Sequence, residues 1–168
     1  GAVPLGVLIG AGLTRDAAWN AAFVEGLSAA VAELRVPLLG GDTVKMPHGA
    51  PRAFGLTAIG RAMGTVPSRI GARPGDTLYV LGNIGDAGLG LRIARGDMAG
   101  PDELVQAYRR PVPMLAAGQA LAGQVTAMMD VSDGLLIDAL RLAEASGAGV
   151  SIDLDAVPLS PAAVAFGI

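Results

Sequence analysis

The stretch "DVSDGLL", residues 130–136, decides how this chain is read. The residues before it, "VTAMM" (125–129), are apolar and read as a buried strand. Those after it, "LLIDALRLAEASG" (135–147), carry apolar side chains at helical spacing. Asp130 and Asp133 therefore stand where a strand runs into a helix. Ser132 or Asp133 makes a good helix N-cap. That leaves Asp130 at the inner end of an apolar strand, where a carboxylate is costly without a partner. A divalent ion held by Asp130 and Asp133 is an economical partner. The helix N-terminus and Ser132 then face the phosphate that the same ion neutralises. A cation site beside an anion site points to a magnesium nucleotide.

Outward from this segment, strands alternate with helices. Residues 3–13 read as a buried strand. Thr14 is placed to cap the following helix, with Asp16 in its first turn, where the helix dipole favours an acid. Trp19, Phe23, Leu27, Val31 and Leu34 recur every three or four residues and predict one buried stripe. Val36 before Pro37 ends that helix. "VPLL" (36–39) is a short strand running into "GGDT" (40–43), and 52–62 is another strand. The breaker-rich run 66–76 reads as a boundary. Beyond it come a strand at 77–82 and helical segments to about 95, at 102–109 and at 112–122. A strand at 125–130, a helix at 133–146 stopped by Gly147 and a strand at 149–155 complete the series. The fold class is α/β (α+β), in two parts, 1–66 and 67–168.

Composition narrows the function. Hydrophobic residues make up 52% of the 168, so a packed core is expected rather than disorder. The net charge is −3 and no basic run occurs, which argues against nucleic acid as partner. With no cysteine, disulfides and thiolate metal sites are excluded, in keeping with a reducing, cytoplasmic setting. His48, the single histidine, has no second histidine with which to build a zinc site. The apolar start "GAVPLGVLIGAGL" is too short to span a bilayer and contains Pro4.

Two more features bear on phosphate chemistry. Gly82, Gly85, Gly88 and Gly90 follow a strand and enter a helix, but the spacing is neither G-x-G-x-x-G nor a P-loop. A tight turn with Asp86 capping the helix and a backbone nest near a phosphate both remain open. Asp42, after two glycines, suits either a hard cation or a turn in which it bonds its own backbone. Arg61 and Arg69 flank the boundary, and an arginine fork suits phosphate oxygens.

"LLGGDTV" (38–44), "TAIGRA" (57–62), "SRIGARPGDTLYVLGNIGDAGLGL" (68–91), "YRRPVPML" (108–115) and "MDVSDGLLIDALRLAEASGAGVSIDLDAVPLS" (129–160) together resemble the thiamine-monophosphate kinase family, in order and spacing. That family lies in the superfamily of aminoimidazole ribonucleotide synthetase. The resemblance implies that superfamily's two-part fold, with both halves incomplete here: a first half that contributes to a dimeric β-barrel, and the start of a second α/β half. It implies transfer of the γ-phosphoryl of ATP onto thiamine monophosphate, with magnesium, in a cytoplasmic homodimer. It places Asp42 on metal and nucleotide with Gly41 beside it, Arg69 and Ser132 on ATP, and Asp130 and Asp133 on magnesium. It marks no side chain as a catalytic acid, base or nucleophile. The family's N-terminal aspartate cluster and its C-terminal "GGEDYEL"-like motif are not found in this sequence. The chain is therefore expected to be the middle of such an enzyme, and not a competent kinase by itself. Two alternatives stand beside this reading: an ATP-using relative with another acceptor, and a non-catalytic dimerisation domain.

Overall fold

A computed structural model describes residues 1–166 and divides the chain into two units, Ala2–Gly64 and a second made of Gly1 with residues 65 onward. In the first unit, β1 (Ala2–Leu13) is the central strand of three. Helix α1 (Ala17–Leu34) leads to β2 (Leu38–Lys45), which pairs with β1 in parallel. β3 (Ala53–Ala62) pairs with β1 antiparallel on its other side. Pro4 donates no hydrogen bond, and the β1–β3 register slips between Pro4 and Gly6.

Asp16, not Thr14, is the N-cap of α1: its carboxylate accepts the Trp19 N–H at 3.1 Å. The helix ends in a Schellman turn, with Val36 N–H bonded to Val31 O and Arg35 N–H to Ala32 O. Arg35 takes the left-handed conformation (φ 52°) that glycine usually supplies there. The expected stripe does face the sheet, but no α1 residue is fully buried. Phe23, Leu27 and Val31 line a cleft of about 270 Å³ with Ile9, Ala11 and Leu13. Trp19 stays 37% exposed and is covered by Arg52, whose guanidinium lies 3.9 Å from the ring centre and bonds Asp16 at 3.0 Å.

The second unit is built of helices: α2 (Asp86–Ala94), α3 (Asp102–Arg109), α4 (Leu115–Leu121), α5 (Leu135–Ala145) and α6 (Pro161–Ala165), with a 3-10 turn at Leu154–Ala156. Its core joins Leu89, Leu104 and Ala163, with Ile93, Met98, Leu159 and Phe166 packed around them. The strands expected at 77–82, 125–130 and 149–155 are not formed in the described residues. An apolar pattern specifies an extended chain, but a strand also needs a neighbour to complete its ladder. Only isolated bonds link these stretches to others, as from Met128 N–H to Ser68 O at 2.9 Å. Among the described residues no helix is long and apolar enough to cross a membrane.

Asp86 does not cap α2. It is the first helical residue, after a left-handed Gly85, and it accepts the Ser160 hydroxyl at 2.7 Å. Ser160 in turn caps α6 through the Ala163 N–H, so one hydroxyl ties two helix starts together. Where α2 crosses α3, a Cβ on Gly90 would run into the Leu104 carbonyl oxygen and lie 3.0 Å from Tyr108 Cβ. Gly88, one turn position away, has open space around it. Gly90→Ala should therefore cost about 1–3 kcal/mol, whereas Gly88→Ala should stabilise by about 0.4–1 kcal/mol. Urea denaturation of the two variants checks the opposite signs.

Candidate functional site

The 130–136 segment is organised by a residue that its motif does not contain. Asp138, in the first turn of α5, is 1% exposed. One oxygen, Oδ2, accepts the backbone N–H groups of Ser132 (2.9 Å), Asp133 (3.0 Å) and Gly134 (3.1 Å). The other, Oδ1, accepts from Arg141 Nη1 at 3.0 Å. The same Arg141 nitrogen also bonds Asp133, so one guanidinium bridges a buried and an exposed carboxylate.

These contacts revise the sequence expectation. Neither Ser132 nor Asp133 caps α5. The helix begins at Leu135 after Gly134, which makes no side-chain cap, and Asp138 reaches back from the first turn to the N–H groups of the three residues ahead of the helix. Asp130 is exposed, so the cost of burial does not apply to it; it applies to Asp138. The sequence did not mark Asp138, because Leu136, Ile137 and Leu140 offer an equally apolar face and stand exposed. Leu135, Asp138, Ala139 and Ala143 form the buried stripe of α5, and a carboxylate at a core position of a helix calls for a partner. The N–H groups of Ser132, Asp133 and Gly134 are spent on this carboxylate, and the helix N-terminus expected to face a phosphate with Ser132 begins only at Leu135.

The electrostatics follow from these bonds. The Ser132 N–H foremost, then the Gly134 and Asp133 N–H groups and Arg141, hold the Asp138 carboxyl below its ordinary value, against the opposing effect of burial. Asp130, Ser132 and Asp133 all remain exposed beside this network.

Arg69 lies in the same unit. Ser146, at the C-terminal end of α5, donates its hydroxyl to Arg69 O (3.0 Å) and accepts the N–H groups of Gly71 and Ala72. Ser68 bonds Met128, and a Cβ on Gly71 would strike the Thr126 carbonyl oxygen. Residues 68–71 thus run antiparallel to 126–128, the stretch that leads into Asp130. The structure brings Arg69, Asp130, Ser132 and Asp133 onto neighbouring segments.

Gly41 and Asp42 belong to the first unit. Of the two readings open for Asp42, the turn does not form: both residues lie in β2, Gly41 paired with Ile9 and Asp42 with Gly10. A Cβ on Gly41 would overlap the Ile9 carbonyl oxygen, so close parallel pairing demands glycine there. Asp42 does bond its local backbone, accepting the Thr43 N–H at 2.8 Å. Asp42, Gly10 and Gly55 form a row across the three strands. This row lies in a shallow concavity of about 430 Å³ walled by Val44, Met46 and Phe54. Arg61 lies on β3 opposite Val3.

Among the described residues no three His, Cys, Asp or Glu side chains converge as a metal cage. Two exposed carboxylates nonetheless fit magnesium, which is usually held by one or two carboxylates, water and substrate phosphates.

Residues 1–62 match the AIR synthase related protein, N-terminal domain, and residues 73–164 its C-terminal domain. A thiamine-monophosphate kinase of Caulobacter vibrioides is 40% identical over 90% of this chain and 43% of its own length. The solved structure of AaThiL complexed with AMPPCP and TMP superposes with a TM-score of 0.89 at 28% identity, covering 99% of this chain and 54% of that one. A thiamine-monophosphate kinase from Stenotrophomonas maltophilia K279a gives 0.86 at 30% identity, covering 96% and 53%. The chain spans about half the length of these relatives.

Asp138→Asn should lower the melting temperature at neutral pH more than Asp133→Asn does. A carboxyl held below its ordinary value of about 3.9 adds stability above that pH and loses it as acid protonates the folded form. The Asp138→Asn deficit should therefore shrink below about pH 4, and melting curves across pH check both statements.

Proposed function

The chain belongs to the AIR synthase related protein family as a homologue of the thiamine-monophosphate kinases, and from that premise we propose that the full-length protein phosphorylates thiamine monophosphate to thiamine diphosphate with ATP and magnesium. The observation that carries this reading is the 130–134 loop, where Ser132 and Asp133 stand exposed on a backbone fastened by Asp138 and Asp130 stands exposed just ahead of them. A phosphate approaching this helix end meets carboxylates, so it suits a phosphate that arrives with its own cation. The likeness to a chain complexed with AMPPCP and TMP supports the same assignment.

Phosphoryl transfer of this kind rests on positioning and charge neutralisation. Asp130 and Asp133 are the residues of the second unit proposed to hold magnesium, and Asp42 is proposed as a metal-binding carboxylate of the first. Magnesium, when bound, neutralises charge on the phosphate oxygens. The Ser132 hydroxyl is suited to donate to an ATP phosphate, and Arg69 to grip phosphate oxygens with its fork. Gly41 lets the β2 backbone pass close to the nucleotide while Asp42 contributes a carboxylate. Asp133 must exchange its bond with Arg141 for the cation. The exposed Leu8 and Ile59, on the sheet face away from α1, suit pairing with a second copy, and a cytoplasmic homodimer is part of this proposal.

The test is thiamine diphosphate formation by the full-length protein from thiamine monophosphate and Mg-ATP. Product is expected; Mg-ATP binding without product would reassign the acceptor. In the same protein, Asp130→Asn and Asp133→Asn should each weaken Mg-ATP binding by about tenfold or more while shifting the melting temperature little. Calorimetric titration and thermal melts together separate this outcome from a purely structural role.

A further inference from the structure

Asp138 is placed to do more than stabilise α5. Its carboxylate is the shared anchor of three successive N–H groups in the loop that carries Asp130, Ser132 and Asp133. Three bonds to one oxygen fix the peptide planes on either side of Asp133. Gly134, at φ 137°, then turns the chain into the helix without a side chain to steer it. The loop has little else to define it. Val131 is 45% exposed, and the stretch pairs with no strand. Arg141 completes the arrangement from the next turn of α5, binding Asp138 on one side and Asp133 on the other. Ser132 and Asp133 thus project from a backbone held by one buried group five or six residues away, with Asp130 two residues ahead of the first tethered N–H.

We infer that Asp138 is the positioning residue of the nucleotide site: it holds the backbone of 132–134 so that Asp130, Ser132 and Asp133 are presented together, with Arg141 orienting Asp133 on the same frame. The inference rests on the proposed kinase reading for what the loop binds, but not for what holds the loop. Asp138 itself touches no substrate in this scheme. It acts through the loop, as outer partners act on metal ligands by orienting them. An exposed carboxylate pair on an untethered loop would have to be ordered by the ligand, and that ordering would be lost from the binding free energy.

Two measurements on the full-length protein, wild type and Asp138→Asn, test this. The first is amide hydrogen exchange without ligand. Ser132, Asp133 and Gly134 should exchange at least about tenfold faster in the variant, while amides late in α5 keep their protection. The second is binding of Mn²⁺ with AMPPCP, read by electron paramagnetic resonance on folded protein. Affinity should fall about 10–100-fold, the range typical of lost outer-shell partners. Unchanged exchange at the three amides overturns the inference, whatever the nucleotide does. Faster exchange with unchanged Mn²⁺–AMPPCP affinity also overturns it, because the loop would then be held for stability alone. Failure of the wild type to bind Mn²⁺–AMPPCP would instead strike the kinase reading, and the exchange result would still decide whether Asp138 holds the loop. Should Asp138→Asn not fold, Arg141→Gln removes one of the carboxylate's four contacts. It should speed exchange of the same amides several-fold, and no change would overturn the inference.

Discussion

A buried carboxylate must be satisfied, and in this chain one oxygen of Asp138 is satisfied by the backbone of its own approach loop. The constraint is local in sequence and strict in geometry. It places the start of α5 at Leu135 and lets Gly134 leave the helix without a capping side chain. It also leaves the polar side chains of 130–133 pointing to solvent rather than folding back to cap. Capping usually draws a side chain from ahead of the helix. Here no side chain ahead of the helix caps it, and Asp138 in the first turn binds the loop backbone instead.

Charge follows the same logic. The N-terminal end of a helix attracts anions, and Asp138 already answers that attraction. Further negative charge at this end must therefore be offset. Arg141 does so for Asp133, and a divalent cation would do so for a phosphate. The first unit presents its carboxylate differently. Asp42 stands on a strand over a floor of Gly10 and Gly55, where absent side chains leave room. One unit clears space with glycines and the other fastens a loop with a carboxylate; both expose acidic groups on backbone that is held from behind.

Much of the fold was legible because periodicity reports which face of an element is buried. The α1 stripe, the strand at 53–62 and the helices at 86–94, 102–109 and 135–145 form close to where they are expected, whereas β2 is expected only at 36–39 and runs on to Lys45. Gly41 was not legible in this way: the need for glycine comes from the Ile9 carbonyl across the parallel ladder, which the spacing does not show. The strands expected beyond residue 76 failed for the same reason. "TLYVLG" and "VTAMM" have strand-like sequences, but strand identity belongs to a pair and cannot be read from one member.

The sequence by itself determined the family likeness, the alternation of elements and the presence of two aspartates at the head of a helix, since these depend only on residue types and their spacing. Only the tertiary structure decided which aspartate is buried. Asp130, Asp133 and Asp138 are chemically identical, and spacing alone did not rank their exposure. Packing turned the Asp138 face of α5 inward with Leu135, Ala139 and Ala143, so desolvation fell on Asp138, and the hydrogen bonds needed to offset it shaped the loop that carries the other two.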